Sequence, residues 1–145
     1  MSHDSHPLGD DSFARLLGEA IAGAERFGHR EHVHLTWLAV RRHGRDAAIS
    51  LICAGLRRIT HDAGVPQKYH ETLTRAWVEV VAAHAGSMGQ EGDFDAFVRR
   101  YPRLLDKRLI SHHYTSDTLG SATARREWVA PDLSPFPWGA RIPPT

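Results

Sequence analysis

The fold is decided by residues 27–40, which read FGHREHVHLTWLAV. The second half of this stretch is apolar on more than one face of a helix, through Val33, Leu35, Trp37, Leu38 and Val40. A helix that is apolar nearly all round belongs in the middle of a helical bundle. Residues 29–34 instead hold three histidines and a glutamate. This local break in the apolar pattern predicts that a functional site lies there.

Helical periodicity on both sides of this stretch predicts a chain built from helices. Glycines and prolines mark where the helices end. Around the central helix, 30–43, we expect long helices at 10–27, 46–63 and 66–84, and shorter ones at 93–101, 104–114 and 116–126. The sequence therefore predicts the all-α class, as a bundle of four longer helices closed by shorter C-terminal helices.

The chain is expected to form one domain, because 145 residues can bury a stable core without added stabilisation by disulfides or metal ions. The predicted divisions are a disordered N-terminus at 1–9, a single helical domain at 10–130 and an extended proline-rich tail at 131–145. Five of the eight prolines fall in that tail, where they disfavour helix.

The amino-acid composition disfavours nucleic acid and membranes as partners. A net charge of +1, from 18 basic and 17 acidic residues, leaves no bulk attraction for nucleic acid or for a membrane surface. No apolar run approaches the ~20 residues of a spanning helix. Cys53 is the single cysteine, so no internal disulfide can form, and we expect a buried thiol in a cytoplasmic protein.

Three histidines form a predicted metal site. If the central helix begins near Arg30, His29 lies at its N-cap and His32 one turn further on the same face. A facing helix could bring His70 to the same point. Neutral imidazoles bind zinc, iron or copper, and three of them with an open position make a reactive site. In the alternative interpretation His29 caps the helix, His32 bonds a carbonyl, and His70 is a satisfied core histidine.

The segment from Lys68 to Thr74, KYHETLT, suggests acid/base chemistry without a metal. Near a helix N-terminus the dipole favours the neutral imidazole, so His70 could act as general base while Thr74, one turn on, orients a substrate or a water. The pocket around them is expected to be lined by Trp37, Tyr69 and Trp77. For Thr72 we prefer an ordinary structural role.

A polar cluster near the C-terminal helices offers further candidates. Tyr114 could donate a proton and Asp117 could orient a histidine. Arg125, followed closely by Trp128, could bind an anionic group of the substrate. The alternatives are that Tyr114 packs with its hydroxyl at the rim and that Arg125 is solvated over an aromatic ring.

Several motifs are missing or incomplete. His34 is expected to pair with Glu31 three residues earlier, but one E-x-x-H copy does not make a carboxylate-bridged di-iron site. The chain has no glycine-rich phosphate loop, H-E-x-x-H or G-x-S-x-G. These absences disfavour nucleotide hydrolases, zinc proteases of that class and nucleophile-elbow hydrolases.

A family resemblance is carried by five short motifs spread from Phe27 to Leu133. They are F-x-H-x-x-H at 27–32, KYHETLTRAW at 68–77, HY at 113–114, AR at 124–125 and WV-x-PDL at 128–133. In these motifs the chain resembles an uncharacterised family of small soluble bacterial helical proteins. The resemblance implies a bacterial, cytoplasmic protein but no particular activity, since members of that family occur both as orphan genes and in natural-product pathways.

Three functions follow as hypotheses. The first is a metal-binding enzyme on a small molecule, with His29, His32 and His70 as ligands to a divalent transition metal. The second is a cofactor-free acid/base enzyme of small-molecule, natural-product metabolism that uses the same histidines. The third is a helical interaction module whose proline-rich tail docks on a partner or on a second copy through Trp138, giving a homodimer.

Overall fold

The computed structural model describes residues 10–88 and 92–136, and within them the chain is helical with no strand. The α-helices are α1 (Asp10–Ile21), α2 (His29–His43), α3 (Arg45–Asp62), α4 (Glu71–Met88), α5 (Phe94–Arg100), α6 (Ser116–Leu119) and α7 (Ala122–Arg126). Short 3₁₀ turns cover Pro66–Lys68, Pro102–Leu105 and Leu109–His112. The predicted all-α class is confirmed, whereas the four-helix bundle stays a prediction.

Helix α2 lies at the centre of the packing. It contacts α1, α3 and α4, and α3 and α4 also contact each other. Its buried side chains are Val33, Leu35, Thr36, Trp37, Leu38 and Ala39. Five of them, from Leu35 to Ala39, are consecutive. Such a run covers every face of a helix, because successive residues are rotated by about 100°.

The approach of α1 to α3 depends on a glycine. Gly55, in α3, faces the ring of Phe13 in α1, and a Cβ atom at Gly55 would overlap that ring. Phe13 is itself buried, at 7% exposure. Any larger residue at position 55 would therefore push α1 away from the core.

The fourth long helix begins later than expected. Residues 66–68 form a 3₁₀ turn, Tyr69 is extended at φ −79° and ψ 141°, and α4 starts only at Glu71. The proline fixes the start of the short turn but does not commit the following residues to an α-helix. His70 consequently stands at the N-cap of α4 instead of inside the helix.

Other boundaries also differ from the prediction, among them the end of α4, which lies at Met88 and not at residue 84. Helix α1 ends at Ile21, ahead of Gly23 at φ 80°. The predicted helix 104–114 does not form: Leu104 and Leu105 end one 3₁₀ turn, and a separate 3₁₀ turn covers Leu109–His112. The predicted helix 116–126 is divided into α6 and α7, since Ser121 caps a new helix by accepting a hydrogen bond from Ala124 N–H.

The segment after α7 is tied to the helices by hydrogen bonds. The Tyr114 hydroxyl donates to Val129 O at 2.6 Å, and Asp132 accepts from the hydroxyls of Thr115 and Thr118, both at 2.8 Å. Phe136, where the described part ends, is buried at 5% exposure. The rest of the predicted tail, with Trp138, and the predicted disordered N-terminus lie outside the described residues.

Across residues 10–88 and 92–136, no helix combines the length and the apolar character that crossing a membrane requires.

Candidate functional site

The site begins at the first turn of α2. Gly28 is the N-cap, and its N–H donates to Glu31 Oε1 at 2.9 Å. The Glu31 side chain therefore caps the N-terminus of α2. The expected pair between Glu31 and His34 is replaced by this cap. His34 stacks instead on Phe94, with ring centroids 4.2 Å apart and the planes within 2°.

His29 and His32 lie on the same face of α2, as the spacing predicts, with ring centroids 6.5 Å apart. His29 is the first helical residue, not the N-cap. Its Nε2 lies 2.9 Å from Leu104 O and therefore carries the donated proton. Its ring also meets the edge of Trp77, at 4.6 Å between centroids. Burial, opposed by the bond to Leu104, lowers the pKa of His29.

The His32 ring has a different environment. Within the described part of the chain no group forms a hydrogen bond with it, and its ring neighbours are Phe27 and His29. Burial first, and the neighbouring His29 second, lower the pKa of His32 to about 4. At neutral pH this imidazole is uncharged, and neither of its nitrogens is held by a hydrogen bond to a described residue.

Both ring nitrogens of His70 are hydrogen-bonded to backbone groups, one capping α4 and the other reaching α6. Nδ1 accepts from Leu73 N–H at 3.1 Å, and Nε2 lies 2.6 Å from Leu119 O. Because the amide must donate to Nδ1, the proton is on Nε2 and is donated to the carbonyl. With both nitrogens occupied by backbone groups, His70 has neither a lone pair for a metal nor a free site for a substrate proton.

The described residues do not assemble the predicted three-histidine metal site. Nowhere in the described ranges are three or more histidine, cysteine or carboxylate side chains grouped to hold an ion. His70 is committed to the N-cap, and His29 donates to Leu104 O. The donor set therefore does not fit a transition metal, and the arrangement is better suited to an organic molecule.

His32 faces a pocket of about 410 Å³ between α2, α3 and α4. Its apolar walls are formed by Phe27, Leu56, Leu73 and Trp77. Thr74 also lines it, is 8% exposed, and has no side-chain hydrogen bond among the described residues. Ligand pockets are typically ~300–1,000 Å³, mostly apolar, with a few placed polar groups. The volume and the lining fit that description.

Two lysines that were not predicted as site residues line the same pocket. Lys68 comes from the 3₁₀ turn before α4, and Lys107 from the loop after Leu105. Lys107 is close enough to His29 to contribute to lowering its pKa. Lys68 could have been inferred from its place beside Tyr69 in KYHETLT. The sequence around Lys107 does not indicate a site residue, because only tertiary packing brings its loop to α2.

Of the three aromatic residues predicted to line the pocket, two do so. Trp77 and Tyr69 are on its wall, and Tyr69 donates its hydroxyl to Glu71 Oε1 at 2.6 Å. Burial and then this bond to Glu71 raise the pKa of Tyr69. Trp37 lies elsewhere, packed against Phe94, with Arg41 over its ring at 4.7 Å.

The C-terminal candidates are not brought to this pocket. Tyr114 is buried, its hydroxyl is committed to Val129 O, and burial raises its pKa. Asp117 is exposed in the first turn of α6 and has no side-chain hydrogen bond to a described residue. Arg125 donates to Gln67 O at 3.0 Å and lines a neighbouring pocket that also includes Tyr69.

Folding stability is expected to decrease between about pH 6.5 and pH 4 because His32 is neutral when folded. An unfolded histidine binds its proton near pH ~6.5, whereas folded His32 does so at about 4. In this window the unfolded chain binds more protons, so acid favours unfolding. From about pH 7.5 to pH 5, His32 alone should remove on the order of 2 kcal/mol of unfolding free energy, measurable by urea denaturation.

The variant His32→Gln is the control for this pH dependence, since it cannot titrate. Glu19 and Asp132 have lowered pKa values, because of hydrogen bonds from Arg42 and from Thr115 respectively. These carboxylates stay ionised at about pH 5 and lose their contribution only in stronger acid. An identical pH dependence in the wild type and in His32→Gln would contradict the neutral, buried state of His32.

Comparison of this chain with protein-family models, with curated proteins and with solved structures gave no match.

Proposed function

We propose that the chain is a cofactor-free acid/base enzyme that moves a proton on a small organic anion with an apolar body. The observation that supports this best is His32: a neutral imidazole without a hydrogen-bond partner among the described residues, on the wall of an apolar pocket. The His32 side chain is half-buried, and polar groups withdrawn from water are normally hydrogen-bonded. A ligand bound in the pocket would supply the partner that His32 lacks.

The lysines define the charge of the substrate. Lys68 and Lys107 line the pocket, and the described lining residues include no carboxylate. An anionic group, most simply a carboxylate, would pair with them. The walls of Phe27, Leu73 and Trp77 suit an aromatic or branched apolar body.

Binding of the anion would also strengthen the base. The pKa of about 4 makes free His32 uncharged at neutral pH but a weak acceptor of protons. A carboxylate bound nearby favours the imidazolium form and therefore raises the pKa. His32 then takes a proton from the substrate, and the electron pair of the broken bond moves toward a neighbouring carbonyl. Thr74 donates a hydrogen bond to the oxygen that becomes negative.

Phenylpyruvate in D₂O tests the proposal, because it has an aromatic ring, a carboxylate and acidic C–H bonds beside a ketone. Proton NMR follows the replacement of its methylene protons by deuterium. We expect the protein to accelerate exchange well above buffer, and phenylacetate, which does not react, to shift the His32 ring signals and to inhibit. Phenylacetone, which lacks the carboxylate, should bind more weakly because the lysines have no charge to pair with.

The control variant is Arg99→Ala, which removes an exposed charge on α5 away from the pocket lining. It should exchange phenylpyruvate as fast as the wild type. If the wild type neither accelerates exchange nor binds phenylacetate at the His32 ring, the proposed function is rejected.

A further inference from the structure

A second pocket, of about 620 Å³, lies on the other side of Tyr69 and is not used by the proposed reaction. Three arginines from separate parts of the chain line it: Arg57 from α3, and Arg125 and Arg126 from α7. The remaining lining includes Pro66 and the Tyr69 ring. A concave site with three guanidinium groups is suited to an anion.

Two of the three positive charges are uncompensated. Arg57 donates to Glu71 Oε1 at 2.7 Å, so one charge is neutralised by a carboxylate of the protein. Arg125 donates to the neutral carbonyl of Gln67 at 3.0 Å. Arg126 has no hydrogen bond or ion pair from its side chain to the described residues. The lining residues, counted together with Glu71, therefore carry a charge of +2.

Two of the guanidinium groups are held in place before any ligand binds. Arg57 is fixed by Glu71 and lies over the Tyr69 ring at 5.2 Å from its centroid. Glu71 is fixed in turn by the Tyr69 hydroxyl. Arg125 is fixed by Gln67 O, which also ties α7 to the 3₁₀ turn. Preorganised side chains lose less conformational freedom on binding, so they favour a specific ligand over a diffuse ion cloud.

We propose that this pocket binds the phosphate group of a small phosphomonoester. A phosphomonoester carries about −1.5 to −2 charge near pH 7 and three acceptor oxygens, which matches the two uncompensated guanidinium groups. Guanidinium groups bind phosphate oxygens with paired, charge-assisted hydrogen bonds. The volume of about 620 Å³ leaves room for an organic group against Pro66 and Tyr69. The site is independent of His32 and shares only Tyr69 with the first pocket.

Isothermal titration of the full chain with phenyl phosphate tests this proposal, with inorganic phosphate and phenyl sulfate as comparison ligands. We expect saturable binding of phenyl phosphate to one site. Inorganic phosphate should bind more weakly because it lacks the organic group. Phenyl sulfate should bind about tenfold more weakly because it carries a single charge. If inorganic phosphate binds as tightly as phenyl phosphate, the pocket takes free phosphate and the phosphomonoester assignment is overturned.

Arg126→Gln is the test variant, because the described structure gives this side chain no structural bond to lose. It should weaken phenyl phosphate binding by about tenfold, the usual effect of losing one charge-assisted contact. Arg99→Gln removes an exposed arginine outside the pocket lining and should bind like the wild type. Equal affinity in Arg126→Gln and the wild type, or no saturable binding of phenyl phosphate, would overturn the proposal. His32→Gln should leave this binding unchanged, which separates the two pockets.

Discussion

Replacing His32 by glutamine is expected to slow the exchange of phenylpyruvate protons on the order of a hundredfold or more, the usual loss when a general base is removed. Glutamine keeps a polar side chain of similar reach but has no nitrogen that accepts a proton at neutral pH. The ring of His32 has no hydrogen bond to the described residues, so the substitution breaks no structural bond. Deuterium incorporation at saturating phenylpyruvate measures the loss in kcat.

His61→Gln is the matched control for this variant. His61 is exposed on α3, where its Nδ1 lies 3.4 Å from Asp62, and it lines neither of the two pockets described. It should retain wild-type exchange and wild-type stability. If His32→Gln keeps kcat and changes only KM, His32 binds the ligand without accepting its proton. In that case the proposed catalytic role is wrong even though the pocket is correct.

The central helix shows what the sequence does predict. The apolar run after His34 indicates a helix buried on every face, and α2 does contact three other long helices. The H-x-x-H spacing places His29 and His32 together, because three residues span nearly one turn. These are local properties, fixed by the helical repeat alone. They therefore appear in the sequence before any tertiary contact is known.

The role of His70 could not be predicted from its spacing. The sequence predicts a helix from Pro66, which would place His70 inside the first turns with a free ring. The chain instead forms a 3₁₀ turn and begins α4 at Glu71, so His70 becomes the N-cap. Its second bond is to Leu119 O, 49 residues away in sequence. A partner at that distance is a property of the fold, not of the local pattern.

Trp37 and Lys107 illustrate the two other kinds of error. Trp37 follows His32 by five residues, which rotates it about 140° around the helix axis, so it cannot share the His32 pocket. That error could have been avoided with the helical repeat. Lys107 lies in a loop between two 3₁₀ turns, and its approach to α2 depends on how those turns pack. No residue beside it in the sequence indicates this position.

Thr72 and Thr74 are expected to have opposite roles, although they stand two residues apart in α4. Thr72 is fully buried; its hydroxyl donates to Glu127 O at 2.8 Å and accepts from Val129 N–H at 3.1 Å. Thr72→Val keeps the shape but leaves both backbone groups without this partner. We expect it to lower the free energy of unfolding by about 2–4 kcal/mol, because two hydrogen bonds are lost and Glu127 O and Val129 N–H are left unpaired.

Thr74→Val is the counterpart, because Thr74 lines the pocket and its hydroxyl has no partner among the described residues. Valine removes an unsatisfied polar group, so the free energy of unfolding should change by less than about 1 kcal/mol. Phenylacetate should still bind, since it develops no negative oxygen beside Thr74, whereas kcat for phenylpyruvate exchange should fall about tenfold or more.

Urea denaturation and the exchange assay on both variants separate these effects. Equal destabilisation would mean that Thr74 is structural, and unchanged kcat would mean that it does not stabilise the enolate. Thr72 is buried against the segment after α7 and holds that segment to α4 by two hydrogen bonds. Of the two threonines, only Thr74 has a hydroxyl that can bind a ligand.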